Sequence, residues 1–296
     1  MPKTYRDLVG QGDDSHIVEQ LAQHAARLSA RLASVQHVIA VMSGKGGVGK
    51  SCLTANLAAA LTMQGKRVGV VDADINGPTL ATMLGARKQS LQMRDGAVMP
   101  AIGAAEIKVM SMDLMLPRDD APVKWQTVGG LADERYVWLG MMELNVLREM
   151  IADTAWGELD YLLVDLPPGP ERFPNVAKLI PRLETIVVTI PTEISHLVVS
   201  KSVTLAKETG ARLIGLVENM TGYVCPHCGE LGPLFGNESP MNAERVGIPF
   251  LGAVPFDHRI AESADRGIPF VLEHRDTVAG SAIMQIAAKI IHEERE

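Results

Sequence analysis

Three groups of residues in this 296-residue chain have types and spacing that could do chemistry. Gly44-Lys45-Gly46-Gly47-Val48-Gly49-Lys50-Ser51 fits G-x-x-x-x-G-K-[ST]. Glycines in such a loop let backbone N–H groups turn inward around phosphate oxygens. A helix opening at the loop adds unpaired donors and a favourable dipole. Lys50 supplies a point charge for β- and γ-phosphates, and Ser51 a hydroxyl for Mg²⁺. The competing reading is an ordinary glycine-rich turn. The complete pattern between a strand and a helix argues against it. Lys45 is a second lysine beside the first glycine, with a solvated loop cation as its bland alternative. Cys52 reads as a small helix-packing residue behind the loop.

The second group is acidic. Asp72-Ala73-Asp74 ends one apolar run, and Asp165 ends another. Strand ends in a parallel sheet converge on the ligand crevice, where carboxylates hold Mg²⁺ directly or through water. Loop solvation explains any one of them as well, but not three at strand ends after a phosphate loop. The third group is Cys225-Pro226-His227-Cys228-Gly229. Two thiolates this close share one metal site, yet two ligands complete neither a zinc site nor a four-iron cluster. Either other residues join them or a second subunit supplies the same pair. His227 and His258 are possible local ligands, although their spacing does not point to metal. A redox pair fits less well. On this motif alone zinc and iron–sulfur stand level.

The elements that must position these groups follow from apolar patterning. Residues 1–16 read as a flexible tail. Ile17, Leu21, Ala25, Leu28 and Leu32 recur at helical spacing. Val38–Met42 is a buried parallel strand running into the glycine loop. A helix is expected from Lys50 to about Gln64, ended by Gly65. Strands are expected at Arg67–Asp72, Ile107–Met110, Tyr161–Val164, Ile186–Ile190, Leu213–Val217 and Phe250–Val254, with a helix around Met141–Asp153. Ile283, Ile286, Ala287, Ile290 and Ile291 share one face of a last helix. The stretch 86–135 carries mixed signals and reads as an irregular excursion. Strands alternating with helices predict an α/β, three-layer fold: a mostly parallel sheet covered by helices on both faces. Residues 17–296 are expected to form a single domain with the thiol loop at 225–228.

Composition narrows the function. There are 28 Lys+Arg against 35 Asp+Glu, a net charge of −7, which disfavours binding nucleic acid or an anionic membrane through bulk charge. The 47% hydrophobic content supports a buried core. Three cysteines cannot build a disulfide framework. No apolar run reaches about 18–20 residues, and the N-terminus lacks a signal-peptide apolar region. A cytoplasmic location is therefore expected.

The loop GKGGVGKS resembles the deviant phosphate loop of the nitrogenase-iron-protein/Min/Par class. Further motifs narrow the match: VMSGKGGVGKS (41–51), DADINGPT (72–79), WGELDYLLVDLPPG (156–169), VENMTGYVCPHCG (217–229) and IPFLGAVPFD (248–257). From roughly Val38 to Pro269 the chain is similar to the Mrp/ApbC-type iron–sulfur carriers, a family with the P-loop NTPase fold. The resemblance implies ATP and Mg²⁺ as cofactors. It implies a homodimer that bridges a [4Fe–4S] cluster between Cys225 and Cys228 of both subunits. It also implies a cluster donor and recipient apo-proteins as partners. Lys45 would reach the partner's nucleotide, Asp165 would be the Walker B acid, Asp72 would lie near the metal and Asp74 would orient the attacking water. Adenine contacts are implied near Asn219 and Pro255. Slow ATP hydrolysis would use Mg²⁺ and Lys50 to offset phosphate charge.

The chain departs from that pattern in two places. Where the family continues P-P-G-T-G-D, this chain has Pro167-Pro168-Gly169-Pro170-Glu171-Arg172, and Pro170 lacks an N–H. Any backbone donor used there is lost, and the segment is expected to be stiffer. Where the family reads W-R-G-P, Trp125-Gln126-Thr127-Val128 lacks the cation. The family's optional small N-terminal domain is expected to be absent. Two alternatives come from other classes. A Min/Par-type positioning ATPase would need membrane or DNA association, which an acidic C-terminal end does not favour. A zinc-stabilised nucleotide-binding switch protein is the other.

Overall fold

The computed structural model describes residues 17–116, 132–225, 227–235 and 247–292. The expected tail 1–16, the segment Trp125–Val128, Pro226 and the acidic end after His292 lie outside the described residues. The elements run α1 (Ile17–Leu32), β1 (Val35–Ser43), α2 (Lys50–Met63), β2 (Val68–Asp72), α3 (Leu80–Met83), β3 (Gln92–Arg94), β4 (Ala97–Met99), β5 (Ala101–Ile102) and β6 (Lys108–Met110). They continue with α4 (Ala132–Asp153), β7 (Leu159–Asp165), α5 (Phe173–Leu179), β8 (Glu184–Thr189), α6 (Glu193–Glu208), β9 (Arg212–Val224), β10 (Leu231–Gly232), β11 (Phe250–Phe256), α7 (Arg259–Asp265), α8 (Phe270–His274) and α9 (Val278–His292). No described helix is long and apolar enough to cross a membrane.

Nine strands form one sheet in the order β10-β9-β8-β1-β7-β2-β6-β5, with β11 also paired to β9. All pairings are parallel except β10 with β9 and β5 with β6. The mostly parallel α/β architecture expected from the sequence is thus the observed one. The continuous apolar character of β1 has a simple cause: both its faces are covered. Ile39 and Val41 enter a core with Leu53, Leu57 and Leu61 of α2 and Ile283 and Ile286 of α9. Val38, Ala40 and Met42 enter the opposite core with Leu28 of α1, Ile151 of α4 and Val203 of α6. Each fully buried aliphatic side chain contributes about 1.5–3 kcal/mol. The period-two split of one strand therefore fastens helices to both sides of the sheet.

Local signals explain the element ends. At the end of α2, Lys66 N–H donates to Leu61 O at 3.2 Å and Gly65 N–H to Thr62 O at 2.9 Å. Gly65, at φ 81°, closes this Schellman motif. The region expected to be irregular is more ordered where described. Asp95 (φ 52°) and Gly96 (φ 75°) make the two-residue turn joining β3 to β4, and Ala97, Ala101 and Val109 are buried. The Asp-Gly pair was the available signal. Strand β9 is the other departure. It runs to Val224 rather than Val217, because β11 and β10 supply backbone partners for its outer half.

Candidate functional site

The phosphate loop leaves β1 and enters α2 directly. Gly47 and Gly49 have φ of 79° and 77°, a region that side-chain-bearing residues rarely adopt. Gly49 is also confined: a Cβ there would lie 2.4 Å from Asn219 Nδ2. That amide in turn donates to Val48 O at 2.9 Å, which locks the loop against β9. A Cβ at Gly44 would lie 2.4 Å from Val198 of α6. Ser43 Oγ donates to Lys45 O at 3.0 Å. Lys45 itself is half-buried.

Beneath the loop lies a buried charge cluster. Lys50 Nζ is 2.7 Å from Asp165 Oδ2 and 3.3 Å from Ser51 Oγ. Ser51 Oγ donates to Asp165 Oδ2 at 2.6 Å, and Thr54 Oγ1 lies 2.7 Å from Asp165 Oδ1. Both oxygens of this fully buried carboxylate therefore have partners, as a buried charge requires. Thr54 was missed in the sequence. Its four-residue spacing from Lys50 puts it on the loop-facing side of α2 and was the only signal.

Asp72 and Asp165 are register partners at the ends of neighbouring parallel strands β2 and β7. Asp72 is 1% exposed and accepts from Thr79 N–H at 2.8 Å, Leu80 N–H at 3.0 Å and Asp74 N–H at 3.2 Å. Burial and the nearby Asp165 charge push its carboxyl up to about 7, against the pull of the Leu80 and Thr79 amides and of Lys50. A divalent cation between the two carboxylates would reverse that balance, and the oxygen-only donor set of Ser51, Asp72 and Asp165 suits Mg²⁺. Asp74 is half-exposed and accepts from Gly77 N–H at 3.3 Å. Asn76, two residues on, donates to Glu143 Oε1 at 2.6 Å, and Glu143 pairs with Arg172 at 2.5 Å. Arg172 follows Pro170, so the two strand-end loops are tied through one buried glutamate. Gly169 N–H donates to Ser43 O at 3.1 Å and Pro170 O accepts from Phe173 N–H at 3.2 Å, starting the turn into α5.

A cavity of about 280 Å³ opens beside the loop, lined by Gly49, Cys52, Asn219, Met220, Pro255 and Phe256 among others. Asn219 and Pro255 thus meet at one apolar pocket, of the kind that takes a flat aromatic base. Cys52 lines it too. Burial pushes its thiol up to about 11, so it behaves as an inert apolar group.

The thiol pair sits apart from this cluster, at the turn between β9 and β10. Cys225 N–H donates to Glu230 O at 2.9 Å, and Gly229 N–H to Cys225 O at 2.8 Å. Cys225 is half-exposed and Cys228 exposed. Backbone N–H groups of Cys228 and His227, then the Cys228 thiol, hold the Cys225 thiol below its ordinary value, which favours the metal-binding thiolate. Among the described residues no group of three or more His, Cys, Asp or Glu side chains assembles around a metal position. His258 lies instead 3.9 Å from Asp257.

The chain is similar to known proteins over most of its length. The sequence profile described as ParA: NUBPL iron-transfer P-loop NTPase matches residues 34–291. An iron-sulfur cluster carrier protein of Saccharolobus solfataricus is 40% identical over 268 residues, covering 90% of this chain and 86% of its own. The cytosolic Fe-S cluster assembly factor NUBP2 of Rattus norvegicus is 38% identical over 276 residues, covering 91% of this chain and 97% of its own. A nucleotide-binding protein from Archaeoglobus fulgidus, solved in complex with ADP, superposes with a TM-score of 0.68 at 34% identity. That match covers 83% of this chain and 92% of the other. The chain belongs to the NUBPL iron-transfer P-loop NTPase family.

Proposed function

We propose that this member of the iron-transfer P-loop NTPases is an ATP-dependent carrier of iron–sulfur clusters. In this reading it works as a homodimer and passes a [4Fe–4S] cluster from a donor to recipient apo-proteins. The observation that carries the reading is the half-complete thiol site. Cys225 has lowered thiol pKa, Cys228 is exposed, and no third ligand joins them among the described residues. Two copies facing each other supply the four thiolates that a cluster requires. The relatives' names speak for iron–sulfur cargo rather than for a positioning ATPase. A cytoplasmic site of action follows the cytosolic relative.

The nucleotide end has a division of labour. Backbone N–H groups of Gly44–Ser51 and the Lys50 ammonium hold phosphates, which compete with Asp165 for that ammonium. Ser51, Asp72 and Asp165 hold Mg²⁺, which offsets phosphate charge. Asp74 orients water for slow hydrolysis, Lys45 reaches the partner's nucleotide, and Asn219 and Pro255 flank adenine. Pro170 removes one backbone donor, so turnover is expected to be slow.

Anaerobic reconstitution with iron and sulfide, followed by metal analysis and mass measurement, tests the reading. The expected result is a dimer with about four irons, as four thiolates require. Zinc alone in protein purified without oxygen, or iron retained after Cys225→Ser with Cys228→Ser, overturns it.

A further inference from the structure

One strand, β9, runs from the nucleotide pocket to the thiol turn, and it is not regular on the way. Asn219 is the register partner of Val254, and Tyr223 that of Phe256. Between those two rungs β9 spends two more residues than β11 does. The extra length forms a bulge over Met220–Gly222. Within it Met220 has a φ of 56°, in the left-handed region that a long side chain occupies only at a cost. Of the described non-glycine residues with positive φ, Met220 is the one that lines the cavity beside the phosphate loop. Its terminal methyl carbon lies 3.3 Å from where a Cβ on Gly49 would stand.

Beyond the bulge the chain is tightly held. A Cβ on Gly222 would lie 2.9 Å from Gly232 O, so the strand ends of β9 and β10 are in close backbone contact. Leu231 pairs with Val224 and Gly232 with Tyr223, and Cys225 is clamped to Glu230 at the tip. The Tyr223 ring also packs against that of Phe256, with centroids 6.2 Å apart, and Phe256 lines the same cavity. The thiols therefore ride on a hairpin that is tied to β11 at the Tyr223–Phe256 rung just past the bulge, and one wall of the nucleotide pocket is the Met220 side chain within that bulge.

We infer that Met220 senses the occupied base pocket and transmits it to the Cys225–Cys228 turn through the β9 bulge. The inference rests on the carrier function proposed above. It supplies a route distinct from the loops that follow Asp72 and Asp165. A base entering the pocket displaces Met220, and the bulge passes that shift through the adjoining Tyr223–Phe256 rung to the hairpin that carries the thiols. Linkage then requires that nucleotide and metal change each other's affinity by the same factor.

The test uses the full chain, kept anaerobic and reduced, with Zn²⁺ as the probe of the thiols and ADP as the nucleotide. Zn²⁺ affinity is measured by chelator competition, without ADP and with ADP saturating. ADP affinity is measured directly for every variant. The expected result is a change in Zn²⁺ affinity of at least about fivefold, within the usual range of coupling between sites. The reciprocal change in ADP affinity should match it. Met220→Ala should bring both below about twofold, whereas Met220→Leu, which keeps a long apolar side chain, should retain them. Zn²⁺ held by the thiols with an affinity indifferent to ADP overturns the coupling alone. Coupling undiminished in Met220→Ala overturns the role of Met220. Zn²⁺ bound equally well by the Cys225→Ser, Cys228→Ser double variant overturns the thiol site itself, and this inference with it.

Discussion

The phosphate-loop end and the thiol end of this chain solve the burial of reactive groups in opposite ways. Lys50 and Asp165 are 7% and 0% exposed, and the carboxylate is saturated by Lys50, Ser51 and Thr54. Nearly everything that the nucleotide end needs comes from one chain, on elements of the two cores. The thiols sit on a two-strand hairpin, half-exposed or exposed, and among the described residues no third His, Cys, Asp or Glu joins them around a metal position. A charge taken out of water must be paired within its own chain or it destabilises the fold. A thiol left near water is under no such demand and can wait for ligands from elsewhere. The phosphate end therefore contributes to folding in a way the thiol end does not.

Substitutions can break that contrast, and the largest effect belongs to the buried pair. Lys50→Met leaves Asp165 without its cation and should destabilise the chain by about 3–5 kcal/mol, read from urea unfolding, besides abolishing ADP binding. Stability unchanged by that variant would remove the claim that this end serves the fold. Thr54→Val keeps the shape and loses a buried hydroxyl–carboxylate bond, so about 1.5–3 kcal/mol is expected from the same measurement.

A pH experiment sharpens the comparison at the pocket rim. Burial alone would raise the Asp257 carboxyl, but Arg259 Nε and Nη2 bond it at 2.9 and 2.6 Å and hold it below the ordinary range. Its folded pKa is thus depressed. The stability that it contributes is present above the unfolded carboxyl value of about 4 and is lost as pH falls below it. Arg259→Gln should remove at most about 1 kcal/mol at pH 7, because the guanidinium is partly exposed, and should flatten that acid limb. The smallest effect lies at the thiols. Cys228→Ala should shift stability by no more than about 0.5 kcal/mol while eliminating metal binding in the reconstituted protein. A large loss of stability there, measured without metal, would erase the distinction between the two ends.

Legibility in the sequence followed the range of the interactions. β1, α2 and β7 were readable because apolar runs, a glycine loop and the stop at Gly65 act over a few neighbouring residues. Gly44–Ser51, Asp72 and Asp165 were readable for the same reason: each sits at the end of such a run. Thr54 was not, since a threonine inside a helix bonds the backbone of its own turn as readily as a distant carboxylate. The tie from Asn76 through Glu143 to Arg172 joins residues far apart in the chain. The hairpin at Asp95-Gly96 had a local signal, but the mixed pattern around it hid the turn.

The amino-acid sequence by itself determined the alternation of the main buried strands with helices, the phosphate loop with its two lysines, the acids at two strand ends and the spacing of the thiol pair. All of these depend on contacts within one turn or one strand. Only the tertiary structure decided that β2 and β7 are neighbours, so that Asp72 and Asp165 stand side by side and one carboxyl is pushed up to about 7. It alone decided that β9 bulges at Met220 between the apolar cavity beside the phosphate loop and the thiols. Sheet order and bulges are settled by pairing between segments distant in the chain, and the period-two pattern of a strand carries no record of which strand it will meet.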